Sequence, residues 1–281
     1  MAREPALGGG AEAMAPAPPL RGLGRLARLS GRLIQPLLVA LVAAIGWQIF
    51  AAAQHNFLIP TTGEILAILP VLLTDGHVWN GILESGGTML VGFAIAAVTG
   101  VPLGFLMGRL RHVDLFLMPY LDMALVMPMV VVMPIVLIAI GITRQAEVLV
   151  VWLFAAPYIT ATTRAGVREV NPLFSEMDHA FGASEFDIWR EVLVPAASPS
   201  IFTALVFGFG MALTGIIVTE LSLIALGIGQ LLLSFQGNFE SVKVFGLVAI
   251  LALMATLLMG ILRLIEGRLT RGRGRPVGDQ G

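Results

Sequence analysis

Six long apolar runs constrain this sequence more than any other feature. A helix that crosses a lipid bilayer needs about 20 consecutive, mostly apolar residues. The sequence therefore predicts an all-α membrane protein with six transmembrane helices, over residues 36–53, 87–107, 115–140, 146–165, 200–222 and 244–264. The third run contains Pro128 and Pro134, which predict a kink or an unwound part. Only 12% of the residues are charged, too few to cover the surface of a soluble domain.

The positions of the basic residues predict the orientation of these spans. Cytoplasmic flanks of membrane proteins are enriched in Lys and Arg. With the N-terminus inside, only Arg144 and Lys243 of the 17 basic residues fall on the outer side. We therefore expect an even number of spans and both termini in the cytoplasm. Residues 1–34 are predicted to be a disordered basic cytoplasmic tail, 35–268 the transmembrane domain and 269–281 a cytoplasmic C-terminal tail.

Small residues recur along two of the predicted spans. In the second span they repeat every four positions, at Gly92, Ala96, Gly100, Gly104 and Gly108. A similar stripe in the fifth span comprises Ala204, Gly208, Ala212, Gly215, Thr219 and Ser222. Small residues let helix backbones approach each other closely in lipid. We favour tight packing within a bundle as the role of both stripes, and a flexible gating seam is the alternative.

A charged insert, EMDHAFGASEFDIWREVLVP at residues 176–195, separates the fourth and fifth predicted spans. The pattern predicts two short helices on the cytoplasmic side, with a turn at Gly182, a cap at Ser184 and an end at Pro195. The insert holds five carboxylates and one arginine. An amphipathic helix that lies on lipid headgroups is typically basic, and anionic lipid repels acidic residues. The insert therefore indicates a surface that binds another protein.

The spacing within the insert resembles the cytoplasmic loop signature of binding-protein-dependent ABC transporter permeases. That signature runs Glu-Ala-Ala, three residues, Gly, nine residues, then Ile-x-Leu-Pro. Glu176, Gly182, Val192 and Pro195 reproduce its spacing. In this sequence Met-Asp replaces the double alanine, and Val-Leu-Val replaces Ile-x-Leu.

The resemblance extends over residues 35–268 and is greatest for the nitrate, sulfonate and taurine permease group. The segments that resemble this group are FLIPTTGEIL (57–66), SGGTMLVGFAIAAVTGVPLGFLMG (85–108), MPYLDMALVMPMVVVMPIVLIAIGI (118–142) and TELSLIALGIGQLL (219–232). Thr88 stands where the group usually has an arginine.

The resemblance implies a type I ABC importer permease fold with a cytoplasmic coupling-helix loop at 168–198. It implies a multi-pass protein of the inner membrane, surrounded by lipid, in which a homodimer forms the pathway. Two ABC ATPase subunits would bind the loops, and a periplasmic or lipid-anchored binding protein would deliver a small solute such as nitrate, a sulfonate, taurine or another small organic anion. The implied ATPase-coupling residues are Glu176, Asp178, Ala180, Gly182, Ala183, Ser184 and Pro195.

Several kinds of activity have no support in the sequence. It has no G-x-x-x-x-G-K-[ST] phosphate-binding loop, so we expect a transport subunit that is not itself an enzyme, with ATP hydrolysed by a partner. It has no Cys and only four scattered His, so we expect no catalytic residues, no metal site, no cofactor and no nucleic-acid partner. The alternative functions are a secondary transporter and a membrane scaffold, neither of which has an ATPase partner.

Three polar residues within the predicted spans are candidates for lining a solute pathway. Glu220 lies at the outer end of the fifth span, where an acid marks a pathway or a paired charge, or reaches interfacial water. Tyr158 and Thr162 share one face of the fourth span because they are four residues apart. Their hydroxyls either line the pathway or bond to helix backbone, and we favour the backbone role.

Overall fold

A computed structural model describes residues 23–54, 56–170, 188–222 and 226–270 of the chain. The regular elements in these ranges are all helical, which confirms the predicted all-α fold class for them. The α-helices are α1 (Leu23–Gln54), α2 (Thr62–Thr74), α3 (Gly76–Arg109), α4 (Arg111–Val126), α5 (Met129–Ile140), α6 (Arg144–Arg168), α7 (Val194–Ser222), α8 (Gly227–Gly237) and α9 (Ser241–Thr270). A π-helical turn, Ile188–Leu193, directly precedes α7.

The chain divides into two units, residues 1–54 and residues 55–281. In the first unit, α1 begins at Leu23, inside the segment that the sequence predicted as a disordered tail. Its apolar part, Leu38–Gln54, is shorter than the other candidate spans. The second unit contains α2 to α9, and its last helix extends to Thr270, just past the predicted boundary at 268.

Four of the described helices are long and apolar enough to cross a membrane: α3, α6, α7 and α9. A fifth span is present if α4 and α5 count together, since this pair passes the same test but is bent by 99°. The predicted number of six spans is therefore not confirmed by length and composition. The four long helices overlap the second, fourth, fifth and sixth predicted spans.

The third predicted span is two helices, not one. The break lies at Met127 and Pro128, between α4 and α5. Pro128 has no backbone N–H and cannot continue the hydrogen-bond ladder of α4, so the next helix starts there with φ −65°. Pro134 lies inside α5 without ending it. The predicted kink is thus confirmed at the first of the two prolines.

The core of the second unit is formed by α6, which packs between α3 and α7. Ala96, Ala155, Ile159, Ala204 and Ala212 are fully buried within it. Both stripes of small residues face α6, except for Ser222 at the end of the second stripe, which is exposed. A Cβ atom built on Gly92 would lie 2.6 Å from Val151 Cγ1, and one built on Gly215 would lie 3.0 Å from Phe154 Cβ. Backbones this close exclude larger side chains, which confirms tight packing as the role of the stripes.

Two short helices, α2 and α8, pack with α9 at one end of the bundle. The predicted topology places this end outside, and we call it the outer end. The sequence analysis did not predict either short helix. The shared cluster contains Leu72, Ile228, Leu232 and Leu247. A capping box starts α2, in which the backbone N–H of Thr61 donates to the Glu64 carboxylate at 2.7 Å. This hydrogen bond lowers the pKa of Glu64 below its usual value.

Candidate functional site

The predicted coupling loop lies mostly outside the described residues. This applies to Glu176, Asp178, Ala180, Gly182, Ala183 and Ser184, and to the two predicted short helices except for the end of the second. Pro195 is described, and its predicted role as a helix end was wrong. The π-helical turn runs directly into α7, of which Pro195 is the second residue. Proline is favoured in a first helical turn because the missing N–H would have no intrahelical partner there.

An apolar cluster joins the two ends of this loop, and we call it the stem cluster: Phe105, Val167, Leu193 and Ala197, with Trp189 packed against it. Val167 belongs to the last turn of α6, where the loop begins, and Leu193 belongs to the turn where the loop ends. The rings of Phe105 and Trp189 lie 5.4 Å apart between centroids. The loop therefore leaves and re-enters the bundle at one packed junction on α3.

A group of charged side chains lies beside the stem cluster, and we call it the inner clamp: Asp114, Arg164 and Arg168. Asp114 is in the first turn of α4 and is 5% exposed. Its Oδ1 accepts from Arg164 Nε, and its Oδ2 accepts from Arg164 Nη2 at 3.0 Å and also from Arg168 Nη2. The sequence analysis missed this group. Two arginines four residues apart at the end of a predicted helix were the available signal.

Glu220 is fully enclosed, with 1% of its surface exposed. Its Oε2 accepts from the backbone N–H of Gly229 at 2.9 Å, and Ser85 Oγ accepts from the backbone N–H of Ile228 at 2.9 Å. Both N–H groups belong to the first turn of α8, whose own N-cap residue, Leu226, gives no side-chain cap. We call Glu220 and Ser85 the outer cap, because side chains of α7 and α3 complete the hydrogen bonds of α8.

The outer cap requires glycine at two positions of α8. Gly227 adopts φ +53°, which a residue with a Cβ atom resists. A Cβ atom built on Gly229 would lie 2.7 Å from the backbone oxygen of Glu220. The Gly-Ile-Gly segment therefore lets the start of α8 approach α7 and α3 closely enough for both hydrogen bonds.

Tyr158 and Thr162 are half-buried on α6, and neither forms a hydrogen bond with a described residue. By contrast, Thr160 between them donates to the carbonyl oxygen of Ala156 at 2.8 Å. Among the described residues, no hydrogen bond therefore supports the backbone role that we favoured for Tyr158 and Thr162. Phe154 of α6 lies opposite Gly215 of α7, so Glu220 lies further toward the outer end. The structure brings Tyr158 and Thr162 onto one face and leaves Glu220 apart from them.

An open groove of about 550 Å³ lies between α3 and α6 at the outer end. Its polar lining consists of Glu84, Thr88, Arg144 and Gln145. Arg144 Nη2 donates to Glu84 Oε1, and both side chains are well exposed. The sequence analysis identified Arg144 only as an outer basic residue, because nothing in the chain order shows that Glu84 lies beside it.

Comparison with known proteins identifies the family. The profile of a family described as the binding-protein-dependent transport system inner membrane component matches residues 100–271. The chain belongs to this family. Its members are transport permeases, and ATP hydrolysis belongs to a separate ATPase subunit. The family match therefore confirms the predicted family, the transport role and the location in a membrane as a multi-pass protein. It does not support the two alternative functions, a secondary transporter and a membrane scaffold.

Several relatives of the permease match over most of their length. It is 26% identical to the putative aliphatic sulfonates transport permease protein SsuC of Bacillus subtilis, covering 90% of each chain. It is 26% identical to the taurine transport system permease protein TauC of Escherichia coli, covering 71% of this chain and 73% of that one. It is 27% identical to the nitrate import permease protein NrtB of Synechocystis, covering 71% and 76%.

A solved structure shows the same fold. The permease matches a chain of the inward-facing MetNI methionine ABC transporter with a TM-score of 0.57 and 20% sequence identity. The match covers 71% of the permease and 97% of that chain. Together with the family match, this confirms the predicted ABC importer permease fold.

Proposed function

We propose that two copies of this permease form the membrane pathway of an ATP-driven importer for a small organic or inorganic anion. The observation that carries the proposal is the family match, because residues 100–271 include the whole predicted coupling loop and both of its stems. The relatives named for sulfonates, taurine and nitrate support an anion of that size as the solute. The proposal includes a separate binding protein that delivers the solute from the outer side.

We propose that the loop at 168–198 binds the ATPase. Its acidic composition supports this assignment, because the loop carries the charges that a protein partner can recognise. The stem cluster supports it independently. A loop whose two ends pack together on α3 passes a displacement to the helices directly, whereas loosely attached ends would absorb it.

We propose that Tyr158 and Thr162 line the pathway, since both residues are half-buried on the most enclosed span and their hydroxyls bond to no described group. In a bilayer, a hydroxyl without a partner is costly where it faces lipid. A water-filled pathway between two copies would satisfy both groups. Glu220 remains a pathway prediction from the sequence, and the contacts that it makes are those of a cap.

Reconstitution tests the proposed function. The tagged permease is purified from its native host, and the ATPase that accompanies it is identified by its phosphate-binding loop. The complex is then placed in liposomes with the purified binding protein, and uptake of labelled taurine, sulfonate and nitrate is measured with and without ATP. We expect uptake of one of these anions only with ATP and the binding protein together. Uptake by the permease alone, driven by an ion gradient, would refute the proposal.

A further inference from the structure

The inner clamp gives α4 a fixed geometry relative to the end of α6. An arginine that binds both oxygens of a carboxylate holds it in one plane, because the guanidinium donors form a rigid fork. Arg164 makes this two-point contact with Asp114, and Arg168 adds a third hydrogen bond from one turn further along α6. Two rigid helices held at three points on one carboxylate cannot rotate or slide freely.

Burial makes the inner clamp hard to open. The side chain of Asp114 is 7% exposed and that of Arg164 is 17% exposed, whereas Arg168 is 44% exposed. Separating a buried carboxylate from its partner leaves a charge without solvation, which is strongly unfavourable. The hydrogen bond from Arg168 to Asp114 can be replaced by a hydrogen bond to water at a lower cost in free energy, because Arg168 is already partly in contact with solvent. The contact between Asp114 and Arg164 is therefore the permanent part of the clamp, and Arg168 is its adjustable part.

The position of the clamp relates it to the coupling loop. Arg168 is the last residue of α6 and the first residue of the predicted loop. The adjacent Val167 belongs to the stem cluster, and a Cβ atom built on Gly108 of α3 would lie 2.6 Å from Val167 Cβ. The end of α6 thus has α3 and α7 on its apolar side and α4 on its charged side. A displacement of the loop that moves this end moves α4 with it.

From α4 the connection continues toward the outer end. The chain bends at Pro128 into α5, where Met133 and Val136 pack against Ala146 and Val150 in the first turns of α6. The bent pair therefore contacts α6 near both of its ends, through charge at the inner end and through apolar packing at the outer end.

We infer that Asp114 is a positioning residue for coupling, which passes movement of the loop at 168–198 to the bent pair of α4 and α5. This inference rests on the proposed function, in which that loop binds the ATPase. The alternative is that the clamp only stabilises the fold. The two roles differ in one measurable quantity, the number of ATP molecules hydrolysed for each solute molecule taken up. A loss of stability lowers both rates together, whereas a loss of coupling lowers uptake alone.

The test uses the reconstituted complex with Asp114→Asn, which keeps the shape of the side chain and removes its charge. We expect the variant to assemble with the ATPase and to hydrolyse ATP, while the ratio of ATP hydrolysed to solute transported rises about fivefold or more. Glu240→Gln is the control, because Glu240 forms a local, partly exposed ion pair with Lys243 just before α9, away from the inner clamp. It should leave the ratio unchanged. Asp114→Glu, which keeps the charge, should restore much of the coupling.

An unchanged ratio in Asp114→Asn, or uptake and hydrolysis that fall in parallel with the melting temperature, would overturn the inference. If Asp114→Asn does not reach the membrane, Arg168→Gln decides, because this half-exposed arginine can be replaced without leaving Asp114 unpaired. It should raise the ratio by about twofold to fivefold, and an unchanged ratio would again overturn the inference. A wild-type permease that binds no ATPase would instead refute the proposed function, and the inference with it.

Discussion

Replacing Glu220 by alanine should release the start of α8 while the rest of the bundle stays folded. The carboxylate is 1% exposed and accepts from the backbone N–H of Gly229 at 2.9 Å. Without it, a buried N–H has no acceptor, which costs about 1–3 kcal/mol. We therefore expect a loss of about 1–3 kcal/mol in the stability of the first turn of α8.

Hydrogen–deuterium exchange measures this loss directly, because amides in a locally opened turn exchange in proportion to its opening. A loss of about 2 kcal/mol corresponds to an increase of about 30-fold in the exchange rate of the amides that open with this turn. Peptides covering α3 and α6 should keep wild-type rates, which distinguishes local release from global unfolding. Exchange in α8 within about twofold of wild type would refute the reasoning, since the outer cap would then contribute less than RT.

Two further variants separate the contributions to the outer cap. Ser85→Ala removes the acceptor for the backbone N–H of Ile228 but carries no charge. It should cost about 1 kcal/mol and raise exchange about fivefold. Glu84→Ala removes the acid that directly precedes Ser85 in the chain, and the ion pair of that acid is well exposed. It should therefore leave the exchange rates in α8 unchanged. Equal effects of Glu84→Ala and Glu220→Ala would show that the charge of this region matters and that the specific hydrogen bond does not.

The other predictions concern packing, topology and coupling. Gly104→Ala should destabilise the bundle by about 1–3 kcal/mol, because its Cβ atom would lie 2.5 Å from a backbone oxygen of α6. Gly86→Ala on the same helix is the control and should be neutral, because its Cβ atom would meet no atom within 4 Å. Thermal unfolding of both variants in detergent measures the difference. Cysteine introduced at Gly76 should react with a membrane-impermeant thiol reagent added outside intact cells, and cysteine at Ser184 should react only after the cells are opened; the reverse pattern would refute the predicted topology. Gly182→Val should abolish coupled uptake, while the protein stays in the membrane and the solute still binds the isolated binding protein. Gly182→Ala should lower uptake less, because alanine tolerates positive φ better than a β-branched residue does. Normal uptake by Gly182→Val would show that this predicted turn is not needed for coupling.

The features that the sequence predicted correctly are those fixed by position along a single helix. The four-residue spacing of Gly92, Gly100 and Gly104 puts them on one face whatever surrounds the helix, and that face meets α6. The length of each apolar run likewise limits where a span can lie. The angle between α4 and α5 was not predictable in the same way. Proline interrupts the hydrogen-bond ladder, but the 99° bend depends on what packs against each half.

The polar contacts were missed because their partners are far apart in the chain. Asp114 and Arg164 are separated by 50 residues, and Ser85 and Ile228 by 143. Helical periodicity assigns each of these residues to a face but cannot show which other face it meets. For Glu220 the sequence left three roles open: a residue of the pathway, a paired charge, or an acid that reaches interfacial water. The partner is a backbone N–H group, and no side-chain motif marks such a group.

In lipid, the polar contacts have more influence on movement than their small number suggests. Apolar helix surfaces have little preference for each other over lipid tails, so close packing and a few polar bonds decide which helices stay together. Close packing joins α3, α6 and α7 along their length. The outer cap ties α8 to α3 and α7, and the inner clamp ties α4 to α6. Among the contacts of the outer cap and the inner clamp, the one between Arg168 and Asp114 has the most exposed side chain. We therefore expect any rearrangement driven from the proposed coupling loop to begin there, at the residue where α6 ends and the loop begins.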